Sequence, residues 1–304
     1  MIYDLLPTLA EAGKIKIGGL GETREKRGGG SYRLPVKYDH FVITTSNERT
    51  PEGDLIPDEI LMAALDRDEN DKLTRIPIYL HSDEIEEVFP SAYACYAGKK
   101  LHCRGNGREA MRWEIRDGRR TGESKEVACK CNYLIPYEDR DAADKKLPIC
   151  RPHAVLHCSI AAPGHAVAGA VYRFRTTSII TIQRMIGSLR QIIQTVGCLQ
   201  GLPLVLCLEP VAIPDRRSTV YCTHIELHAA DIEAAQRRAL ASAQMRKQIG
   251  VSDDYRDLIS LPAADDETDE EQAAVQEEWH PPAEAGEVQA QTGSGNEKLR
   301  GALG

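Results

Sequence analysis

The stretch from Thr176 to Gly197, TTSIITIQRMIGSLRQIIQTVG, decides the fold. In it Ile182, Ile186, Leu189, Ile193 and Val196 recur at spacings of three and four, one apolar stripe of a helix entered through a Thr-Ser cap. The segments around it have no such period. His153 to Ala162 (HAVLHCSIAA) and Gly169 to Thr177 (GAVYRFRTT) precede it, and Leu202 to Pro214 (LPLVLCLEPVAIP) and Thr219 to His228 (TVYCTHIELH) follow it. All four are rich in branched and aromatic residues and read as strands. A second helix, rich in Ala, Arg and Gln, is expected over 231–249. Residues 154–261 therefore read as an α/β core region around helix 177–197.

Outward towards the N-terminus the chain becomes mostly β. Val36 to Thr45 (VKYDHFVITT) reads as a buried strand, and a short helix is expected to start near Pro57 and Asp58. IPIYLHSDEIEEVFP and SAYACYAGKKLHCRG supply further strands, and AMRWEIRDGRRTGESK reads as a hairpin turning at Asp117-Gly118. No internal repeat is visible. The expected fold class is α+β: mostly antiparallel β, a central amphipathic helix, a β-rich region over 1–153 and a tail.

Charge is divided unevenly along the 304 residues. From Pro262 to Gly304 eleven acids face two bases, leaving 36 basic and 35 acidic residues before them. The body is neutral, and the tail 262–304 is too poor in apolar residues to repay the entropy of ordering, so it is expected to be disordered. An N-terminal basic, glycine-rich loop is expected where Lys14, Lys16, Arg24, Lys26, Arg27, Arg33 and Lys37 face only Glu22 and Glu25. A second basic stretch, Lys99 to Lys125, includes Arg104, Arg108, Arg112, Arg119 and Arg120 around Trp113. Both can contact nucleic acid or an acidic partner, or be solvated faces. No run approaches the ~18 apolar residues of a membrane helix. The start, MIYDLLPTLAEAGK, lacks the pattern of a signal peptide, so a cytoplasmic location is expected.

Nine cysteines in a reducing compartment are fillers, ligands or reactive thiols rather than disulfides. Cys103, Cys129, Cys131 and Cys150 lie in a charged, glycine-rich segment with little apolar content, where a structural zinc would supply folding energy. Four unrelated reduced thiols are the alternative, and His102 or His153 can each replace one sulfur. A catalytic zinc is disfavoured, since four thiolates leave water no position. Cys95, Cys158, Cys198, Cys207 and Cys222 sit in apolar patterns and read as core fillers.

His224, Glu226 and His228 alternate with Ile225 and Leu227, so the three polar side chains share one strand face. They can form a two-His-one-carboxylate metal site, or be the solvated face of a half-buried strand, the reading preferred here. No nucleophile elbow, zinc-protease helix, Walker motif or kinase set is present. Enzyme activity is not expected.

Five runs carry a resemblance by their order: Gly13 to Gly19 (GKIKIGG), Leu34 to Thr45 (LPVKYDHFVITT), Cys103 to Arg112 (CRGNGREAMR), Cys150-Arg151-Pro152, and Phe174 to Ser178 (FRTTS). Together they resemble the recombination directionality factor-like family of phages and integrative elements, some members of which carry the label "hydrolase or metal-binding protein". The resemblance spans roughly residues 10–225. It implies that Cys103, Cys129, Cys131 and Cys150 form a zinc site; His153-Ala154 stands where relatives have Asn-Gly, which argues against His153 as a ligand. It further implies a non-enzymatic accessory protein that binds a serine integrase and switches it towards excision. A DNA-binding accessory protein of replication or recombination is the second reading, resting on the basic stretches, and a metal-dependent hydrolase the third. The resemblance has nothing to match the acidic tail.

Overall fold

The structure, a computed structural model, describes residues 9–25, 31–51, 54–97, 100–116, 119–129, 150–165, 167–212 and 219–250. Twelve strands and four helices are found among them, in an α+β arrangement dominated by one branched sheet.

The sheet is organised around β9 (Arg151–Ile160). One edge of β9 pairs with β10 (Ala170–Thr176), Tyr172 opposite Cys158 through Thr176 opposite Ala154. β10 in turn pairs in parallel with β1 (Ala10–Glu25), and β1 forms a long antiparallel hairpin with β2 (Ser31–Arg49), edged by β3 (Leu55–Pro57). The other edge of β9 is divided. Its first half pairs with β5 (Ser91–Ala97), from which β6 (Lys100–Gly105), β7 (Glu109–Arg116) and β8 (Arg119–Ala128) extend as an antiparallel arm. At its far end Ile160 and Ser159 pair with β4 (Arg75–Tyr79), which leads to β11 (Leu204–Val211) and β12 (Val220–Leu227). Every named strand pair but β1–β10 is antiparallel.

Two short helices, α1 (Glu59–Ala63), capped by Asp58, and α2 (Ile85–Val88), lie between the early strands. The longer α3 (Ile179–Val196) begins at Ser178, whose side chain accepts from the Thr181 N–H, and ends at Gly197 in the left-handed region at φ 82°. Ile182, Met185, Leu189 and Ile192 are its buried apolar line, with Ile186, Ile193 and Val196 at the margin. The apolar stripe expected from the sequence is thus rotated: spacings of three and four fit two adjacent lines on a helix, and Met185 settles which one meets the sheet. It does so against Thr223, which hydrogen-bonds the Met185 sulfur at 3.4 Å, while Ser188 accepts from the Ile225 N–H at 3.2 Å. α4 (Ile232–Gln248) lies beside α3, with Gln236 donating to the Thr195 carbonyl at 3.1 Å.

The N-terminal basic segment departs from expectation. From Lys14 to Glu25 it is strand, not loop. Lys14-Ile15-Lys16-Ile17 alternates, and burial of Ile15 and Ile17 with Phe41 and Ile43 outweighs the turn tendency of the following glycines. Gly13 has a packing role: a Cβ there would stand 2.3 Å from the Thr44 carbonyl. The start of the chain, Lys26, Arg27 and the tail 262–304 lie outside the described residues. The turn 117–118 does too, although Arg116 opposite Arg119 closes the expected hairpin around it. No helix among the described residues is long and apolar enough to cross a membrane.

Because Leu189 is fully buried and Ile186 only partly, Leu189→Ala is expected to cost ~2–5 kcal/mol of stability and Ile186→Ala distinctly less. Urea denaturation of the two variants checks the order.

Candidate functional site

Three regions carry the candidate residues. The first is the β5–β8 arm, whose own apolar cluster, Ala94, Tyr96 and Leu101 backed by Trp113, is small. Its turn is built by Asn106, whose Oδ1 accepts from the Arg108 and Glu109 N–H groups at 2.8 and 2.9 Å, and by Gly107 at φ 96°. Gly105 sits tightly against Ala110, the Glu109 carbonyl and the Cys129 sulfur, the last 2.8 Å from where a Cβ would be. Cys129 is held there by its N–H on the Arg108 carbonyl at 2.8 Å.

Cys150 and Cys95 form a buried cluster against which Cys103 and Tyr93 pack, Cys103 being the cross-strand partner of Cys95. The fold therefore brings together two of the four cysteines expected to bind metal, Cys103 and Cys150, and sets a third, Cys129, against Gly105, two residues along β6 from Cys103. Cys131 lies outside the described residues. Among the described residues, no three cysteine sulfurs come within 4.8 Å of one another. Cys95 is buried, as expected of a core filler; burial, then the neighbouring Cys103, push its thiol up to about 11. None of the eight described cysteines is in a disulfide.

The described basic candidates sit on several strands and, for Arg108, in the turn between β6 and β7. Lys14 pairs with Glu11 at 3.0 Å and is half-buried, as is Lys16 further along β1. Arg24 and Arg108 are exposed, while Arg104 and Arg112 are half-buried on β6 and β7. Arg119 and Arg120 begin β8. Glu11 also binds Arg173 at 3.0 Å, and Arg173 stands opposite His157 across β9–β10. His157 is 1% exposed, and both its ring nitrogens are without a hydrogen-bond partner. Burial, followed by the charge of Arg173, holds its pKa down at about 3; burial with Arg175 and Arg104 does the same for His153. Both rings are neutral at neutral pH.

The third region is the face of β4, β11 and β12 turned away from α3. Strand alternation puts Arg75, Cys207 and His224 in one cross-strand row. Glu226 lies two residues past His224. His224 Nε2 and Glu226 Oε1 are 2.9 Å apart, and Arg75 donates to Glu226 Oε2 at 2.6 Å. His228 Nε2 is 2.5 Å from the same oxygen. These partners hold the Glu226 carboxyl well below the usual carboxylate range, against the opposing effect of burial. Cys207 is buried, and its thiol is pushed up to about 12, first by burial. Among the described residues the one trio of His, Cys, Asp or Glu ligand atoms all within 4.8 Å of one another is Cys207, His224 and Glu226. The polar strand face read from the sequence is therefore not simply solvated: His224 and Glu226 are half-buried and bonded to each other. No local signal marks Cys207 or Arg75, since Arg75 is 151 residues from Glu226.

Comparison with known proteins finds that the sequence profile of one family, described as recombination directionality factor-like, matches residues 12–228. No curated protein and no solved structure is significantly similar to the chain.

The two neutral histidines give a signed pH dependence. Each titrates near 6.5 when unfolded and about 3 when folded, so the unfolded chain takes up protons first as the pH falls. The stability they contribute is whole above 6.5 and drains between 6.5 and 3. The urea midpoint should fall on acidification through this window, and fall less in His157→Leu; equal slopes would exclude His157 as a contributor.

Proposed function

The chain belongs to the recombination directionality factor-like family, and from this premise we propose that it is a non-enzymatic accessory protein of phage or mobile-element recombination which binds a serine integrase and biases it towards excision. The observation that carries the reading is the family match over residues 12–228, which takes in nearly all of β1 and every later strand. Such a factor works by differential affinity. It prefers the integrase arrangement competent for excision, and can shift the equilibrium only by the ratio of its affinities for the two arrangements.

A structural zinc held by Cys103, Cys129, Cys131 and Cys150 is part of this proposal. Supporting it are the packing of Cys103 against Cys150, the place of Cys129 beside Gly105, and the small apolar cluster of the arm. Four thiolates would cross-link β6, the end of β8 and the start of β9, supplying folding energy where apolar burial is slight. Direct contact with DNA is a second reading, favoured by the exposure of Arg24 and Arg108.

The full chain mixed with its cognate integrase should form a stoichiometric complex and change which attachment sites recombine. Arg24→Glu and Arg108→Glu should leave that change intact; strong, salt-sensitive DNA binding lost in these variants would favour the second reading instead. No complex and no change in recombination would overturn the first.

For the metal, purified Cys103→Ser and Cys150→Ser proteins should lose one zinc per chain, whereas Cys222→Ser, a change at a buried thiol of β12, should keep it. Full zinc in the first two variants would remove the metal from the proposal.

A further inference from the structure

We propose that Cys207, His224 and Glu226 form a binding site for a zinc-class divalent cation, separate from the cysteines of the arm.

The donor set is a soft thiol, an imidazole and a carboxylate, which suits zinc and its neighbours rather than magnesium or calcium. The three come from two adjacent strands locked in register, Cys207 opposite His224, with Glu226 two residues along the same face. Their ligand atoms all lie within 4.8 Å of one another. Bonds of about 2.0–2.3 Å at a tetrahedral angle set donors about 3.3–3.7 Å apart, so side-chain rotation alone can close the site.

The ion pair of Arg75 with Glu226 accounts for only part of the cluster. It leaves unexplained a histidine with an unsatisfied buried nitrogen, beside a 1% exposed cysteine whose thiol reaches only the Val205 carbonyl at 3.6 Å and Glu226. His224 Nδ1 has no hydrogen-bond partner, and Glu209 Oε2 stands 3.8 Å from it. With Nε2 donating to Glu226 Oε1, Nδ1 carries a lone pair directed at no donor.

A cation bound between Nε2 and Glu226 reverses this. The proton leaves Nε2, Nδ1 becomes the N–H, and Glu209, 49% exposed and free to swing, accepts it. A ligating histidine held by a carboxylate on its other nitrogen is the usual support of such a site. The Cys207 thiol gives its proton to solvent as its sulfur takes the metal. Arg75, itself 44% exposed, then turns away from the cation and releases Glu226 Oε2, and a water completes the four positions around the ion.

The site would join β11 to β12 on the face opposite α3, strengthening a hairpin whose 213–218 connection is outside the described residues. Arg75 would act as its competitor, occupying the carboxylate when no metal is bound.

Titration of the metal-free full chain with Co²⁺, a spectroscopic substitute for zinc, tests this independently of any integrase. Cys207→Ser and Glu226→Gln should each bind about one equivalent less than wild type. Cys207→Ser should also lose part of the thiolate-to-cobalt charge-transfer absorbance, and Cys222→Ser should match wild type. The side chains that β11 and β12 turn towards α3 are unchanged in these variants, and Glu226→Gln, at a half-buried position, guards against a folding failure at Cys207. Arg75→Ala should tighten binding about tenfold, because one like charge beside the ion is gone. Unchanged stoichiometry in Cys207→Ser and Glu226→Gln, or weaker binding in Arg75→Ala, would overturn the site.

Discussion

β9 must satisfy its backbone twice over while both its faces are buried, and the rest of the structure depends on how it does so. Ala154, Leu156, Cys158 and Ile160 face the main core, and Val155 and His157 on the other face are equally inaccessible. One edge goes wholly to β10. The other is shared between β5 at one end and β4 at the other, because β4 and β5 are separated in sequence by α2 and diverge from the strand they both meet. This fork splits the sheet into an arm and a platform, and it sets the cysteines of the arm apart from those of β11 and β12.

The two branches are stabilised by different means. The β4–β11–β12 platform is covered by α3, whose Met185 and Leu189 close against Leu204, Leu206, Ile225 and Ile76 in one contiguous core. Burial of that kind is the dominant favourable term in folding. The β5–β8 arm has far less of it and relies on its turn chemistry at Asn106 and Gly107 and on the tight fit at Gly105. A segment so constituted gains most from a cross-link, whereas the platform has the core beneath α3 to hold it.

Electrostatics follow the same division. Single carboxylates gather cations on each side of the molecule: Glu11 holds Lys14 and Arg173, and Glu226 holds Arg75 beside two histidines. The donors around Glu226 hold its carboxyl below the usual carboxylate range against the effect of burial, while burial first, and neighbouring arginines second, keep His153 and His157 neutral. Among the described residues, basic side chains are found in ion pairs, such as Lys14 and Arg173 with Glu11, half-buried in the sheet, such as Arg104 and Arg112, and exposed, such as Arg24 and Arg108.

Sequence by itself determined the α+β class, the position and cap of α3, the antiparallel pairing of β7 with β8 and the family, because each rests on local periodicity, turn chemistry or the order of short motifs. It misread Lys14 to Glu25, where glycines and charges suggested a loop but Ile15 and Ile17 had a core to enter. Tertiary structure alone decided which line of α3 is buried, that Cys95 joins Cys103 and Cys150, and that Cys207 and Arg75 meet His224 and Glu226. The reason is physical: a strand's alternation fixes which residues share a face, but which strands lie side by side, and what then covers each face, is settled by contacts between segments as far apart as Arg75 and Glu226.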